Sequence, residues 1–520
     1  MKTILCAFNA RYSHSSLAIR YIKEYNNDKE IEIAEFSIND GVQRPYSVLL
    51  DSDADIYCFS IYIWNVEITL KVMQMLKKAK PQCTIVVGGP ECSYCAEDFL
   101  KKYPFVDYVI AGEGEESTGK LIEYLENGSV IEFPGIVTHS FNGGFSPPTD
   151  LCKVKIPYTK QSLEELKNKI IYFETSRGCP FGCSYCLSSR EKGVRYFPMD
   201  YVKKGFDLFF EAKVPLVKLV DRTFNADSKR AIEIIKYITA NSTGTKVHFE
   251  IDPAILTDEL LDLLSRAPKG LFQLEMGIQS ANADTLKAVN RHIITPKIAE
   301  NVNRLRQNNN MHLHLDLIAG LPYEDYASFG KSFDYVYSLK PDMLQLGFLK
   351  ILHGTPIEKE KSIVYSDFPP YEVISTKWLS ASDICKLKLI DKAVDTINNS
   401  GAFKRTLNAL IKSSAFEVFE HISQIFDTDK ALSRFDIYTE LHNIYGDEIK
   451  SELLLDFIEN SPNRPMPEFA KVVYPPNFKK DCTKTLKEKY PDLKVESLRF
   501  EPIGDDIYVM DYNSKTLTKL

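Results

Sequence analysis

Across the first 140 residues, short β-branched apolar runs alternate with stretches whose apolar residues recur every three to four positions. The runs at residues 3–8, 31–36, 55–61, 84–87 and 108–110 predict strands, and the stretches at 16–25, 67–79, 94–102 and 117–126 predict helices. This α/β rhythm predicts about five strands of a Rossmann-like, doubly wound parallel sheet. Such sheets bind ligands beyond the carboxyl ends of their strands, and polar or glycine-rich segments fall at those ends. They are Asn9-Ala10-Arg11-Tyr12-Ser13-His14, Tyr62-Ile63-Trp64-Asn65, Gly88-Gly89-Pro90-Glu91 and Gly112-Glu113-Gly114-Glu115.

The periodicity breaks over residues 141–168, at Gly143-Gly144, Pro147-Pro148 and Glu164-Glu165-Leu166-Lys167, which read as a linker. It resumes with strands expected at 171–175, 216–220, 246–251, 271–276, 312–318 and 343–348, each followed by a helical stretch. Six repeats suit a partial (β/α)6 barrel whose chemistry sits at the carboxyl ends of its strands. After Pro369-Pro370, helical spacing at 384–398, 403–426 and 448–458 is followed by strand-like segments at 497–501 and 507–512. The expected organisation is therefore 1–140, a linker at 141–168, a barrel at 169–360 and a mostly helical domain at 361–520. The last carries no catalytic motif and either shapes the substrate pocket or offers a docking surface.

Composition narrows the class. The 64 basic and 71 acidic residues give a net charge of −7, which does not call for nucleic acid. No apolar run reaches the length of a membrane span, and polar residues interrupt the start before a secretory core forms. Eleven cysteines under those conditions suggest reduced thiols and metal ligation in a cytoplasmic setting rather than a disulfide framework.

Three of those cysteines stand in Thr175-Ser176-Arg177-Gly178-Cys179-Pro180-Phe181-Gly182-Cys183-Ser184-Tyr185-Cys186, at the end of the first barrel strand. The Cys-x3-Cys-x2-Cys spacing can ligate three irons of a 4Fe-4S cluster and leave the fourth open to a substrate. Ordinary buried cysteines or part of a zinc site are the competing readings, although zinc wants a fourth Cys or His at matching spacing and none lies near. The stretch resembles the signature of the radical S-adenosylmethionine (SAM) enzymes. That resemblance implies that the open iron chelates SAM, that its reductive cleavage gives a 5'-deoxyadenosyl radical, and that the cluster is oxygen-sensitive. Cys92-Ser93-Tyr94-Cys95 is either half a zinc site, a redox pair or a coincidence, and no second pair follows it.

The amino-terminal domain lacks Gly-x-Gly-x-x-Gly after its first strand, which argues against a dinucleotide. It is similar to the cobalamin-binding domain found ahead of many radical SAM cores. The similarity places Asn9, Arg11, Tyr12, Ser13, Ser60, Tyr62, Trp64, Gly88, Gly89, Pro90, Glu91, Gly112, Glu113 and Gly114 at cobalamin, the two glycines of Gly88-Gly89 allowing close approach of its tail. The histidine loop that supplies an axial ligand to cobalt in other cobalamin proteins is absent. The corresponding place reads Ile38-Asn39-Asp40-Gly41-Val42, so cobalt is expected without a protein histidine.

Later strand ends carry a second resemblance, to the oxygen-independent coproporphyrinogen oxidases and their radical SAM relatives. Glu250-Ile251-Asp252-Pro253, Gly277-Ile278-Gln279-Ser280, Arg291 and Asp316-Leu317-Ile318 match their motifs in order and spacing. The match implies a SAM site built from Tyr185, Glu250, Gln279, Ser280, Arg291, Asp316 and Ile318, with Arg291 forked onto the methionine carboxylate. Period two puts His312, His314 and Asp316 on one strand face, and His248, Glu250 and Asp252 on another. The histidines either carry protons, orient substrate or are satisfied by polar neighbours. Asp221, Phe224 and Asn225 are candidates for the space between the cofactors, Phe224 and Asn225 toward cobalamin. Asp221, His312 and His314 are the candidate catalytic residues.

Together the resemblances imply a cobalamin-dependent radical SAM enzyme, most commonly a methyltransferase acting on an unactivated carbon or a phosphinate phosphorus through the 5'-deoxyadenosyl radical and methylcobalamin. Alternatives are radical rearrangement, cyclisation or oxidation with cobalamin as electron carrier, or a non-catalytic cobalamin or redox sensor. A small-molecule or peptide substrate and an external electron donor such as a flavodoxin or ferredoxin are the implied partners.

Overall fold

The computed structural model describes residues 1–128, 132–190, 193–291, 296–428, 431–471, 474–489 and 497–520. Residues 1–324 and 347–380 pack as one compact unit, and 325–346 with 381–520 as a second. This division differs from the linear one expected from the sequence, because residues 347–380 return to the first unit.

The first unit opens with β1 (Thr3–Asn9), β2 (Ile31–Ser37), β3 (Ile56–Ser60), β4 (Thr84–Gly88), β5 (Tyr108–Ile110) and β6 (Ile136–Val137), in the sheet order β2-β1-β3-β4-β5-β6. All neighbours are parallel except β5 and β6. Alternate residues of β1 serve opposite cores. Ile4, Cys6 and Phe8 pack with Phe59, Val72 and Leu76, whereas Leu5 and Ala7 pack with Ile19, Leu121 and Ile122. Burial on both faces is why β1 reads as a continuous apolar run. The helix Val66–Ala79 buries Val66, Thr69, Val72, Met73 and Leu76, with Glu67 in its first turn and Lys77 and Lys78 in its last, where each complements the helix dipole. The helix Gln43–Asp51 and strand β6 form without having been expected.

The linker contains one helical turn, Lys160–Glu165, capped reciprocally by Thr159 and Ser162. Beyond it come β7 (Ile171–Phe173), the antiparallel pair β8 (Ser176–Cys179) and β9 (Gly193–Tyr196), then β10 (Leu216–Leu219), β11 (Lys246–Glu250), β12 (Phe272–Gln279) and β13 (His312–Ala319). Strands β7, β10, β11, β12 and β13 run parallel in that spatial order, with helices between them. The sixth expected strand, β14 (Met343–Phe348), forms across the boundary of the two units. The Pro369-Pro370 pair does not end a domain. It lies between β15 (Ile363–Tyr365) and β16 (Val373–Thr376), which pair antiparallel inside the first unit.

In the second unit, the helical stretch expected at 403–426 is broken into Lys404–Leu410 and Ala415–Ser423, the latter capped by the Ser414 hydroxyl on the Glu417 amide. Arg434–Tyr445, Lys450–Asn460 and Phe478–Lys489 add helices, and the tail is a three-stranded antiparallel sheet. Among the described residues no helix is long and apolar enough to cross a membrane. All eleven cysteines are free.

Candidate functional site

The cysteine loop is rooted by Asp221. Its buried carboxylate accepts from the Thr175 amide at 3.0 Å, the Thr175 hydroxyl at 2.8 Å and the Ser176 hydroxyl. Burial pushes its carboxyl up, against those bonds. Gly178 is obligatory: its φ is +93° and a Cβ there would stand 2.3 Å from the Gly193 carbonyl oxygen across the β8–β9 pair. Further along, the Ser184 amide donates to the Val289 carbonyl at 3.0 Å and Asn290 Nδ2 to the Gly182 carbonyl at 2.8 Å. Cys183 is buried, Cys179 and Cys186 are half-buried, and all three are neighbours close enough to perturb one another. Thr223 Oγ1 lies 3.4 Å from Cys179 Sγ, and Arg291 Nη1 lies 3.5 Å from Cys183 Sγ while its Nη2 holds the Gly277 carbonyl.

Inside the barrel, period two aims an unusual set of ionisable side chains at one another. Glu275 accepts from His248 Nε2 at 2.9 Å and from Lys218 Nζ at 3.2 Å, and His314 Nε2 lies 2.8 Å from Asp316 Oδ1. Burial alone would raise the Glu275 carboxyl, but His248, Lys218 and His314 outweigh it and bring it down to about 2. Glu250 has the opposite fate. It makes no hydrogen bond with any described residue, and burial pushes its carboxyl up to about 7 against the pull of Arg222 and Lys218. Gln279 has φ +70°, and its Oε1 is buried without a partner among the described residues. Gly277 makes room for it, because a Cβ there would stand 2.0 Å from Gln279 Nε2.

On the amino-terminal side, the loops after β1, β3, β4 and β5 converge on a cavity of about 610 Å³. Asn9, Ser60, Tyr62, Trp64, Gly88, Gly89, Pro90, Gly112, Glu113 and Gly114 line it, and its wall continues onto Tyr172, Glu174, Ser176, Arg177, Gly178 and Arg222 of the barrel. Tyr62 stacks on Trp64 at 4.3 Å. The two glycines of the pair differ. Gly89, at φ +111°, would place a Cβ 2.5 Å from the Ile61 carbonyl oxygen, so the backbone demands it. A Cβ at Gly88 meets nothing closer than 3.5 Å, so its absence leaves cavity space and serves no need of the fold.

Models of two protein families cover these regions: "B12 binding domain" matches residues 5–122 and "Radical SAM superfamily" matches residues 173–336. The chain carries a B12-binding domain followed by a radical SAM domain. A third model, "Protein of unknown function (DUF4080)", matches residues 359–498. The chain is 27% identical over 315 residues to the 2-(S-pantetheinyl)-carbapenam-3-carboxylate methyltransferase of Streptantibioticus cattleyicolor, covering 56% of this chain and 45% of that one. It is 28% identical over 254 residues to the hopanoid C-3 methylase of Methylococcus capsulatus, covering 46% and 48%. It thus spans about half the length of these curated relatives. The solved cobalamin-dependent SAM radical enzyme OxsB, with aqua-cobalamin and SAM bound, shares the fold: TM-score 0.59 at 14% identity, over 94% of this chain and 75% of that one.

Not every residue singled out from the sequence joins this site. In the B12-binding domain, Arg11 is exposed, Tyr12 is 71% exposed beneath Lys169, and Ser13 accepts the Ile170 amide through its carbonyl. Glu91 turns to the Tyr371 hydroxyl. Glu113 lines the cavity, but its carboxylate is occupied. It pairs with Arg177 at 3.2 Å and with Arg195, and accepts the Thr149 amide at 2.7 Å. Burial would raise that carboxyl, yet these partners hold it below the usual range. Arg177 also pairs with Glu115 at 2.6 Å and Glu174 at 2.8 Å, so it braces the loop after β5 against the cysteine hairpin.

In the radical SAM domain, Phe224 packs on Phe249 and Asn225 clasps the Asp252 backbone with both amide atoms. The Ser280 hydroxyl is tied to Glu324 at 2.6 Å. Ile318 and Tyr185 are half-buried, the Tyr185 phenol pushed up by burial. His312 is exposed at the amino-terminal end of β13, away from the strand ends where barrel chemistry lies, whereas His314 is buried beside Asp316. The Cys92 and Cys95 thiols, both raised by burial, donate to the Gly89 and Glu91 carbonyls. Lys218, Glu275, Arg177 and Arg222 were missed. Counting back by twos from Gln279 along β12 reaches Glu275 and is the signal that was there to use.

Proposed function

We propose that this chain is a cobalamin-dependent radical SAM methyltransferase acting on an unactivated carbon, or a phosphinate phosphorus, of a small molecule or peptide. The observation that carries the reading is the single cavity wall that runs from Gly88 and Gly112 of the B12-binding domain to Ser176, Arg177 and Gly178 of the cysteine hairpin. Relatives named as methyltransferases support the choice of reaction.

Cys179, Cys183 and Cys186 would hold a 4Fe-4S cluster. Tyr185, Glu250, Gln279, Arg291, Asp316 and Ile318 would hold SAM, with Ser280 positioning the turn after Gln279. The residues present fit that ligand: among the described residues Gln279 Oε1 is buried without a partner and the Glu250 carboxyl makes no hydrogen bond, as expected where a ligand completes the set. The loops around the cavity would hold cobalamin, the missing Cβ at Gly88 leaving room for its tail to approach the backbone. When bound, the cluster and SAM supply a 5'-deoxyadenosyl radical and cobalamin supplies a transferable methyl group. The chain's own residues bind and exclude water. Arg291 offers a planar guanidinium beside Cys183, Glu250 presents a carboxyl that holds or releases a proton near neutrality, and the Tyr62–Trp64 stack walls the cavity. A reducing, cytoplasmic setting and an external donor such as a flavodoxin or ferredoxin complete the proposal.

The test is anaerobic incubation of the reconstituted protein with methyl-labelled SAM and the small-molecule and peptide fractions of a cell extract. Label in one acceptor, with one 5'-deoxyadenosine and one S-adenosylhomocysteine per transfer, is expected. Product formed with 5'-deoxyadenosine but without label would instead establish rearrangement, cyclisation or oxidation.

A further inference from the structure

Two arginines line the cavity, and they differ in kind. Arg177 is enclosed by Glu113, Glu115 and Glu174. Arg222, just past the carboxyl end of β10, is exposed to the cavity, and its guanidinium makes no hydrogen bond or ion pair with any described residue. Its positive field reaches Tyr62 on the B12-binding side and Glu250 on the barrel side, so it stands between the residues read as holding the two cofactors. The nearby cation Lys218 is no substitute, because Glu275 holds it.

The rest of its segment is committed to the fold. Asp221 roots the cysteine loop, Thr223 touches Cys179, Phe224 packs on Phe249, and Asn225 clasps Asp252. Arg222 alone is left facing open space. A guanidinium in such a place offers two parallel N–H donors matched to a carboxylate or a phosphate, and few other groups use it as well. Binding cavities orient their ligands through a small number of such polar groups.

We propose that Arg222 anchors the substrate and that the substrate carries an anionic oxygen group, a carboxylate or a phosphate, which reaches this cavity. The inference rests on reading the cavity as the place of reaction, and it adds the chemical class of the molecule that enters. SAM's own carboxylate is assigned to Arg291, so it does not compete. The phosphate in the cobalamin tail does.

Equilibrium dialysis decides it. Protein loaded with cluster, SAM and cobalamin is dialysed anaerobically, at low salt, against radiolabelled orthophosphate and separately against radiolabelled succinate. At least one probe should bind at a single saturable site, and the one retained identifies the class. Arg222→Gln should weaken that binding tenfold or more, and Arg222→Lys should fall between, keeping charge but losing the planar fork. Absence of saturable binding by both probes, or equal binding by Arg222→Gln, overturns the proposal. So does loss of cobalamin absorbance from desalted Arg222→Gln, because the guanidinium then holds the cofactor tail. If wild-type protein takes up no cluster or cobalamin, the functional reading fails instead, and the same dialysis of the protein as isolated still decides Arg222.

Discussion

Glu250 is the residue at which burial and chemistry can be separated most cleanly. Its carboxyl moves from an ordinary 4.5 up to about 7, first because of burial, with Glu275 and Asp316 adding to the rise and Arg222 and Lys218 opposing it. Between those two values the folded protein binds more protons at this site than the unfolded chain, so stability falls as pH rises from 4.5 to 7. At 1.36 kcal/mol per pH unit the shift corresponds to about 3 kcal/mol. Glu275 works in the opposite sense, but with its carboxyl at about 2 its contribution is complete by pH 5. His314, raised above its ordinary 6.5 by Asp316 and Glu275 despite burial, gives a contribution that is present below 6.5 and lost as pH rises through its folded value. The comparison must therefore be wild type against Glu250→Gln. Thermal midpoints measured anaerobically should converge near pH 5, and the variant should be the more stable protein at pH 8. A cationic or hydroxyl-bearing ligand at Glu250 favours the carboxylate, so SAM binding at pH 6 should release a proton that the variant does not release. Calorimetry in buffers of different ionisation enthalpy reads this. Parallel melting profiles from pH 5 to 8, with equal proton release, would refute the reasoning.

Three further outcomes follow from named contacts. Arg291→Ala should weaken SAM binding ten- to a hundredfold, the worth of about 1.5 to 3 kcal/mol for a charge-assisted pair; equilibrium binding measures it, and unchanged affinity would detach Arg291 from the site. Gly88→Leu should fold and lose cobalamin, whereas Gly89→Leu should also lower the melting temperature, because only Gly89 has a positive φ and a 2.5 Å approach to Ile61; absorbance and melting on the same samples separate the two. Arg177→Met leaves Glu113, Glu115 and Glu174 facing one another in a buried setting, so the first unit should lose about 3 to 5 kcal/mol. A loss under 1 kcal/mol in denaturant titration would show that the brace is dispensable.

The sheets were legible because burial writes itself into the sequence. Parallel strands with two apolar faces read as unbroken runs, and Ile4, Cys6 and Phe8 against Leu5 and Ala7 show both faces at work. Helix Gln43–Asp51 escaped because it opens on Gln43, Arg44 and Pro45, which resemble a breaker. A proline in the first turn forfeits no helical hydrogen bond, so the helix stands. Period two fixed the face of His312 but not its height, and it lies at the wrong end of β13. Motif matching pointed Glu113 at cobalamin, whereas its partners Arg177 and Arg195 lie far along the chain and only the folded protein brings them there. The pairs of Glu275 with Lys218 and with His248 are likewise cross-strand and leave no local trace.

The central claim is that the residues read as holding cobalamin share one cavity wall with Ser176, Arg177 and Gly178 of the strand that ends at Cys179, within one compact unit. Electron paramagnetic resonance of protein carrying both cob(II)alamin and a reduced cluster tests it directly. The account predicts a cob(II)alamin signal without nitrogen superhyperfine splitting from an axial histidine, with its relaxation enhanced by the nearby cluster spin and restored when Cys183→Ala removes the cluster. A cob(II)alamin spectrum and relaxation identical with and without the cluster would contradict it.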